Sequence, residues 1–137
     1  MGYELHIIRQ NDWYRYDEVS NITIEEWINY VSSDSELELK NGYMDMIHNT
    51  WIKSLGYCEW TTYFDENNNT NPWFLFSSGR ISTKYPDDNT IIKMIRIAEV
   101  LNARVQGDDG EFYDNSYLEK TLFKNIQKEN KPWWKFW

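Results

Sequence analysis

His6 and His48 are the only imidazoles in the sequence and Cys58 the only thiol. A protein metal site usually takes three or four ligands at suitable spacing, and neither histidine has a second His or a Cys close by. A hydrogen-bonded or surface role is the ordinary one for both. Cys58 with a distant histidine would have the chemistry of a nucleophile pair. No local motif surrounds it, and a buried, inert thiol is the common case. Asp65-Glu66-Asn67-Asn68-Asn69 opens like a calcium loop, but Thr70 stands where the sharp-turn Gly belongs and Phe76 where the bidentate Glu belongs. Asp108, Asp109, Glu111 and Asp114 are a denser acidic cluster whose oxygens suit a hard cation. Starting in the Gly107-Asp108-Asp109-Gly110 turn, that cluster reads first as solvated. There is no glycine-rich phosphate loop and no Gly-x-Ser-x-Gly elbow. The residues therefore predict no catalytic set, no metal site and no cofactor.

The elements around these groups read as α+β. Tyr3, Leu5 and Ile7 alternate with Glu4 and His6, the period of a half-buried strand over Tyr3 to Arg9. A polar, aromatic loop follows to Asn21. Thr23-Ile24-Glu25-Glu26 is a capping box, and Ile22 and Trp27 occupy the staple positions around it. Ile24, Trp27, Ile28 and Val31 make the apolar stripe of the helix it starts, which Ser32-Ser33-Asp34 ends. Glu36 to Lys40 alternates as a short strand before Asn41-Gly42. Tyr43 to Leu55 fits neither period cleanly. Glu59 to Phe64, Trp73 to Ser77 and Arg80 to Tyr85 predict a three-strand meander, with Ser78-Gly79 as a tight hairpin turn. A second helix begins near Pro86-Asp87-Asp88, carries Ile91, Met94, Ile95, Ala98 and Leu101 on one face, and stops at Asn102. Ala103 to Gln106 is a strand, Gly107 to Gly110 a turn, and Glu111 to Tyr113 its return. Ser116-Tyr117-Leu118-Glu119 is a further capping box, opening a segment with Leu118, Leu122 and Ile126 on one row and Lys120, Lys124 and Lys128 on another.

These elements predict an antiparallel sheet with the helices at 23–32 and 88–101 packed on one face, burying Trp27, Ile28, Ile95 and Ala98. Residues 1–114 make one domain. Residues 115–137 make a basic, amphipathic, Trp-rich tail of helical character. That tail carries Glu119 and Glu129 against five lysines, a charge of +3 beside −11 for residues 1–114.

Length and charge narrow the class. A chain of 137 residues fits one domain. The net charge of −8 disfavours a polyanionic partner such as nucleic acid and suits either solubility, the more common reason for an acidic surface, or a basic partner. An aromatic content of 18% is high, and aromatics both fill cores and anchor interfaces. A single cysteine forms no internal disulfide, and the opening Met1-Gly2-Tyr3-Glu4-Leu5-His6 lacks the basic and apolar regions of a signal peptide, so a cytoplasmic location is expected.

Three blocks carry a resemblance. They are Tyr3-Glu4-Leu5-His6-Ile7-Ile8-Arg9, Ile22-Thr23-Ile24-Glu25-Glu26-Trp27 through Tyr30-Val31 and Asp34, and Ile95 to Leu101 with Ala103-Arg104-Val105-Gln106-Gly107-Asp108-Asp109-Gly110-Glu111-Phe112-Tyr113. Together the chain resembles a family of small, mostly uncharacterised bacterial proteins of the polymorphic-toxin immunity type. The resemblance spans most of residues 1–114 and brings no catalytic residues with it. It implies a non-enzymatic protein that neutralises a cognate toxin by direct binding. The loops expected to bind, acidic with embedded aromatics, are Asp12-Trp13-Tyr14, Asp65-Glu66 and Asp108-Asp109. The alternative is a membrane-surface or assembly adaptor acting through the tail, where Trp133, Trp134, Phe136 and Trp137 sit among lysines. Docking of those residues onto protein is favoured over peripheral membrane contact, because a basic tail complements an acidic body. An enzyme of unmarked type is the third reading.

Overall fold

A computed structural model describes residues 3–16, 19–63 and 71–120. Asp65, Glu66 and the tail residues Trp133, Trp134, Phe136 and Trp137 lie outside them. In chain order the elements are β1 (Glu4–Ile8), α1 (Ile24–Ser33), β2 (Leu37–Leu39), β3 (Gly42–Asp45), β4 (Thr50–Lys53), β5 (Cys58–Trp60), β6 (Trp73–Ser77), β7 (Arg80–Lys84), α2 (Asp88–Val100), β8 (Arg104–Gly107) and β9 (Phe112–Tyr113). A further helix begins at residue 115.

The main sheet runs β2-β5-β6-β7-β1-β8-β9, antiparallel at every described ladder, and β3 and β4 pair apart from it as a two-stranded ribbon. The meander predicted from Glu59 to Tyr85 is present as β5-β6-β7, though β5 ends at Trp60. Its tight turn places Ser78 at φ 52° and Gly79 at φ 75°, the left-handed pair a two-residue hairpin needs. The segment that fitted neither period, Tyr43 to Leu55, is the β3–β4 ribbon.

Ladder register sorts the residues onto two faces. Leu5 lies beside Thr83 and Gly107, Ile7 beside Ile81 and Val105, and Phe76 beside Ile81. This face packs into one apolar cluster with Trp27 and Val31 of α1 and with Ile91, Met94, Ile95, Ile97 and Ala98 of α2. Burying these side chains is the main stabilising term of the fold. Trp27 is fully buried, and its indole N–H donates to the Gly56 carbonyl at 2.7 Å. Gly56 has φ +88°, and a Cβ there would come within 2.9 Å of the Trp27 ring, so close approach and backbone sign both require glycine. Ile95 and Ala98 are buried as predicted. Ile28 is only half-buried and lies outside the cluster, where Tyr30 packs instead. The buried side of α1 therefore runs through 24, 27, 30 and 31, with Tyr30, whose hydroxyl donates to Asp34, in the place expected of Ile28.

Helix ends follow the sequence closely. Both halves of the Thr23–Glu26 capping box form, and the Asp87 carboxylate accepts from Thr90 N. Ser116 is not the cap of the last helix. Asp114 is: its carboxylate accepts from the backbone N–H and hydroxyl of Ser116 at 3.0 and 2.6 Å. A carboxylate takes both donors and suits the helix dipole better than a hydroxyl. The first turn of that helix leans on the domain, with Tyr117 edge-on to Tyr113 and its hydroxyl donating to Asp88 at 2.8 Å.

Two ion-pair sets join helices to strands. Arg9 forks onto the Glu26 carboxylate and also donates to the Leu101 carbonyl, tying β1 to the start of α1 and the end of α2. Lys93 of α2 reaches Asp34 at 2.8 Å and Glu36 at 2.5 Å, with its ammonium 5.6 Å from the Trp60 ring centre.

Candidate functional site

The face of the sheet away from the helices carries the polar groups. His6 lies between Ser82 on β7 and Gln106 on β8 in one cross-strand row, so the strand period puts all three side chains on the same side. The turn after β8 then swings Asp108 over the row. His6 Nδ1 is 2.7 Å from Ser82 Oγ, and His6 Nε2 is 2.9 Å from Asp108 Oδ1. The second oxygen of Asp108 accepts from the backbone N–H of Glu4 at 2.8 Å.

The loop after β1 closes over this row. Trp13 stacks on His6 with ring centres 4.6 Å apart and planes 10° from parallel. Its backbone N–H donates to the Gln106 side chain at 2.8 Å, and its indole N–H donates to the Asp108 carbonyl. The Gln106 amide donates in turn to Asp12 and to the Gly110 carbonyl. Three of the residues expected to bind a partner, Asp12, Trp13 and Asp108, are thus brought together and bonded to one another's elements. Tyr14, 61% exposed, and Asp109 stay open to solvent.

Ser82, His6 and Asp108 follow one another as hydroxyl, imidazole and carboxylate, the components of an acyl-transfer triad. Ser82 is buried in mid-strand and Trp13 covers the imidazole, so both groups are screened from solvent. Burial lowers the His6 pKa, opposed by its hydrogen bond to Asp108. Cys58 is fully buried in the core on the opposite face, and burial pushes its thiol up to about 12. His48 sits on the exposed β3–β4 turn, 2.8 Å from Asp45.

A groove of about 1000 Å³ opens between the β3–β4 ribbon and the main sheet. Tyr43, Tyr57 and Trp73 form a run of rings along it, 5.1 and 5.8 Å between successive centres. Lys40, Glu59, Lys84 and Asp87 supply charge of both signs to its walls. Met44 and Trp51 face each other across the ribbon, both about half exposed, and Met46 and Ile47 at its turn are 83% and 89% exposed. None of these residues was expected from the sequence to line a binding surface. The available signal was a run of Met, Ile and Trp after Asn41-Gly42 that fitted no buried element.

Compared with protein-family models, with curated proteins and with solved structures, the chain matches none. Among the described residues, no helix is long and apolar enough to cross a membrane.

Proposed function

We propose that this protein is a binding module for another protein, and that it works as an immunity protein, neutralising a bacterial toxin by direct contact rather than by catalysis. The β3–β4 ribbon carries this reading. It stands apart from the main sheet and leaves Met44, Met46, Ile47 and Trp51 open to water beside an aromatic groove. Large apolar side chains grouped at a surface mark contact sites. Aromatics anchor such contacts, and methionine adapts to an irregular partner. The net charge of −8 favours a partner with a basic face and speeds its capture. The toxin class comes from the family resemblance, and the site from the ribbon.

The test is to purify the product of the gene immediately upstream and titrate it against this protein. Tight binding with loss of toxin activity is expected. Met46→Asp with Ile47→Asp should weaken binding at least about tenfold, as loss of an apolar hot spot does, while leaving thermal stability nearly unchanged, since neither side chain packs in the core. An upstream product that neither binds nor is inhibited would end the immunity reading. A doubly substituted chain that binds like the parent would move the contact face elsewhere. The adaptor reading keeps one distinct signature: flotation of the full chain, but not of a chain ending at Asp114, with anionic vesicles.

A further inference from the structure

A second cluster lies outside the ribbon. Glu4, His6 and Asp108 each bring one ligand atom within 4.8 Å of the others. We propose that these three side chains form a mononuclear site for a first-row divalent transition-metal cation.

Their placement follows from the ladder. Glu4 and His6 are two apart on β1 and so share a face, and Asp108 follows directly on β8, whose Gln106 pairs with His6. The His6 Nε2 to Asp108 Oδ1 separation of 2.9 Å matches two ligands at roughly a right angle on one six-coordinate cation with bonds of about 2.1 Å. The imidazole is already oriented. Ser82 Oγ accepts from Nδ1–H when Nε2 turns its lone pair to a metal, the outer-shell bond that metal-ligating histidines regularly make. When Nε2 carries the proton instead, the Asp108 contact is a hydrogen bond, so binding needs only a change of tautomer, the ring proton passing from Nε2 to Nδ1.

Rigidity and access point the same way. His6 is 1% exposed and clamped by Trp13, whereas the Asp108 side chain is 27% exposed, so a cation enters from the carboxylate side. The Glu4 backbone N–H holds one Asp108 oxygen and leaves the other toward His6. Two carboxylates neutralise a divalent charge, and water completes the shell. One imidazole nitrogen with two carboxylate oxygens suits Zn²⁺ or Mn²⁺, whereas Ca²⁺ and Mg²⁺ prefer oxygen throughout.

The experiment is calorimetric titration of the full, chelator-treated chain with Zn²⁺ and Mn²⁺, with Ca²⁺ and Mg²⁺ as comparison ions and melting temperature read in parallel. Saturable one-to-one binding to Zn²⁺ or Mn²⁺ is expected, with a rise in melting temperature. Glu4→Gln should weaken binding at least about tenfold. Glu4 is only half-buried, so that variant should keep its circular dichroism spectrum. His48→Ala should bind like the parent, because the Asp45–His48 pair is a separate, exposed site. No heat and no thermal shift at about 1 mM Zn²⁺ and Mn²⁺, far above a useful affinity, would overturn the proposal. So would equal binding of Ca²⁺, or binding lost with His48→Ala and kept with Glu4→Gln.

Discussion

Lys93 is the sharpest test of how α2 is held to the rest of the fold. Its side chain is 9% exposed and that of Asp34 is 11%, so this pair lies largely out of water. Glu36, the other partner, is 48% exposed. Burial pushes the Asp34 carboxyl up, but hydrogen bonds from Lys93 and from the Tyr30 hydroxyl outweigh it and hold it below its ordinary value. Lys93→Met keeps the aliphatic stem and removes the charge. Asp34 then keeps only Tyr30 and the Glu36 backbone N–H, at 2.6 and 2.9 Å. Breaking a buried pair by deleting one member costs about 3–5 kcal/mol. The two surviving donors and the half-exposed Glu36 place this case near the lower end, at about 3 kcal/mol. For 137 residues that lowers the melting temperature by roughly 10 °C. Adding Asp34→Asn removes the stranded charge and should recover most of the loss, within about 1 kcal/mol of the parent.

The pH dependence has a definite sign. In the parent chain the folded-state pKa of Asp34 is depressed, so its contribution is present above the unfolded value and lost as pH falls through the folded one. In Lys93→Met, the Lys93 hydrogen bond and charge that help depress this pKa are gone, so less pH-dependent stability remains to be lost. The gap between the two chains should therefore narrow as pH drops from 7 toward 4. Urea unfolding of the parent, both single variants and the double variant at several pH values measures all of this. A gap below about 1 kcal/mol that does not change with pH would mean the pair is solvated like an ordinary surface bridge, and the packing argument for α2 would be wrong.

Other perturbations test other parts of the structure. Trp27→Ala should cost on the order of 3–5 kcal/mol in chemical denaturation, because the ring is fully buried and its N–H satisfies Gly56; an unchanged midpoint would refute the core assignment. Gln10 is 2% exposed, with neither side-chain polar atom hydrogen-bonded among the described residues, so Gln10→Met should stabilise by about 1–2 kcal/mol, and a destabilised variant would show that the amide has a partner. Cys58, buried and with its thiol pushed up to about 12, should react with a thiol reagent at pH 8 only as fast as the fold opens; rapid labelling of the native protein would contradict its burial.

Local signals were legible in the sequence because they act over a few residues. The Thr23–Glu26 box, the Asp87 cap, the left-handed Asn102 and the Ser78-Gly79 turn each need only neighbours along the chain, and each formed where its residues stand. The period-3.6 pattern likewise marked the buried side of α2, and the mix of periods marked the α+β class. β1 reads from its period as half-buried, yet Leu5 to Ile8 are all buried, because the loop carrying Trp13 covers its polar face as well. What the chain could not announce was which distant residues would meet. His6, Ser82 and Asp108 are brought together by the β7-β1-β8 ladders across separations of 76 and 102 residues, and no spacing rule encodes that pairing. Trp13 and Asp12 read as free recognition residues because exposure is a tertiary property; only the closing of the loop onto Gln106 assigned them to the fold. The ribbon went unassigned for the opposite reason. Its apolar side chains face water, so they obey neither period that burial imposes on a helix or a strand.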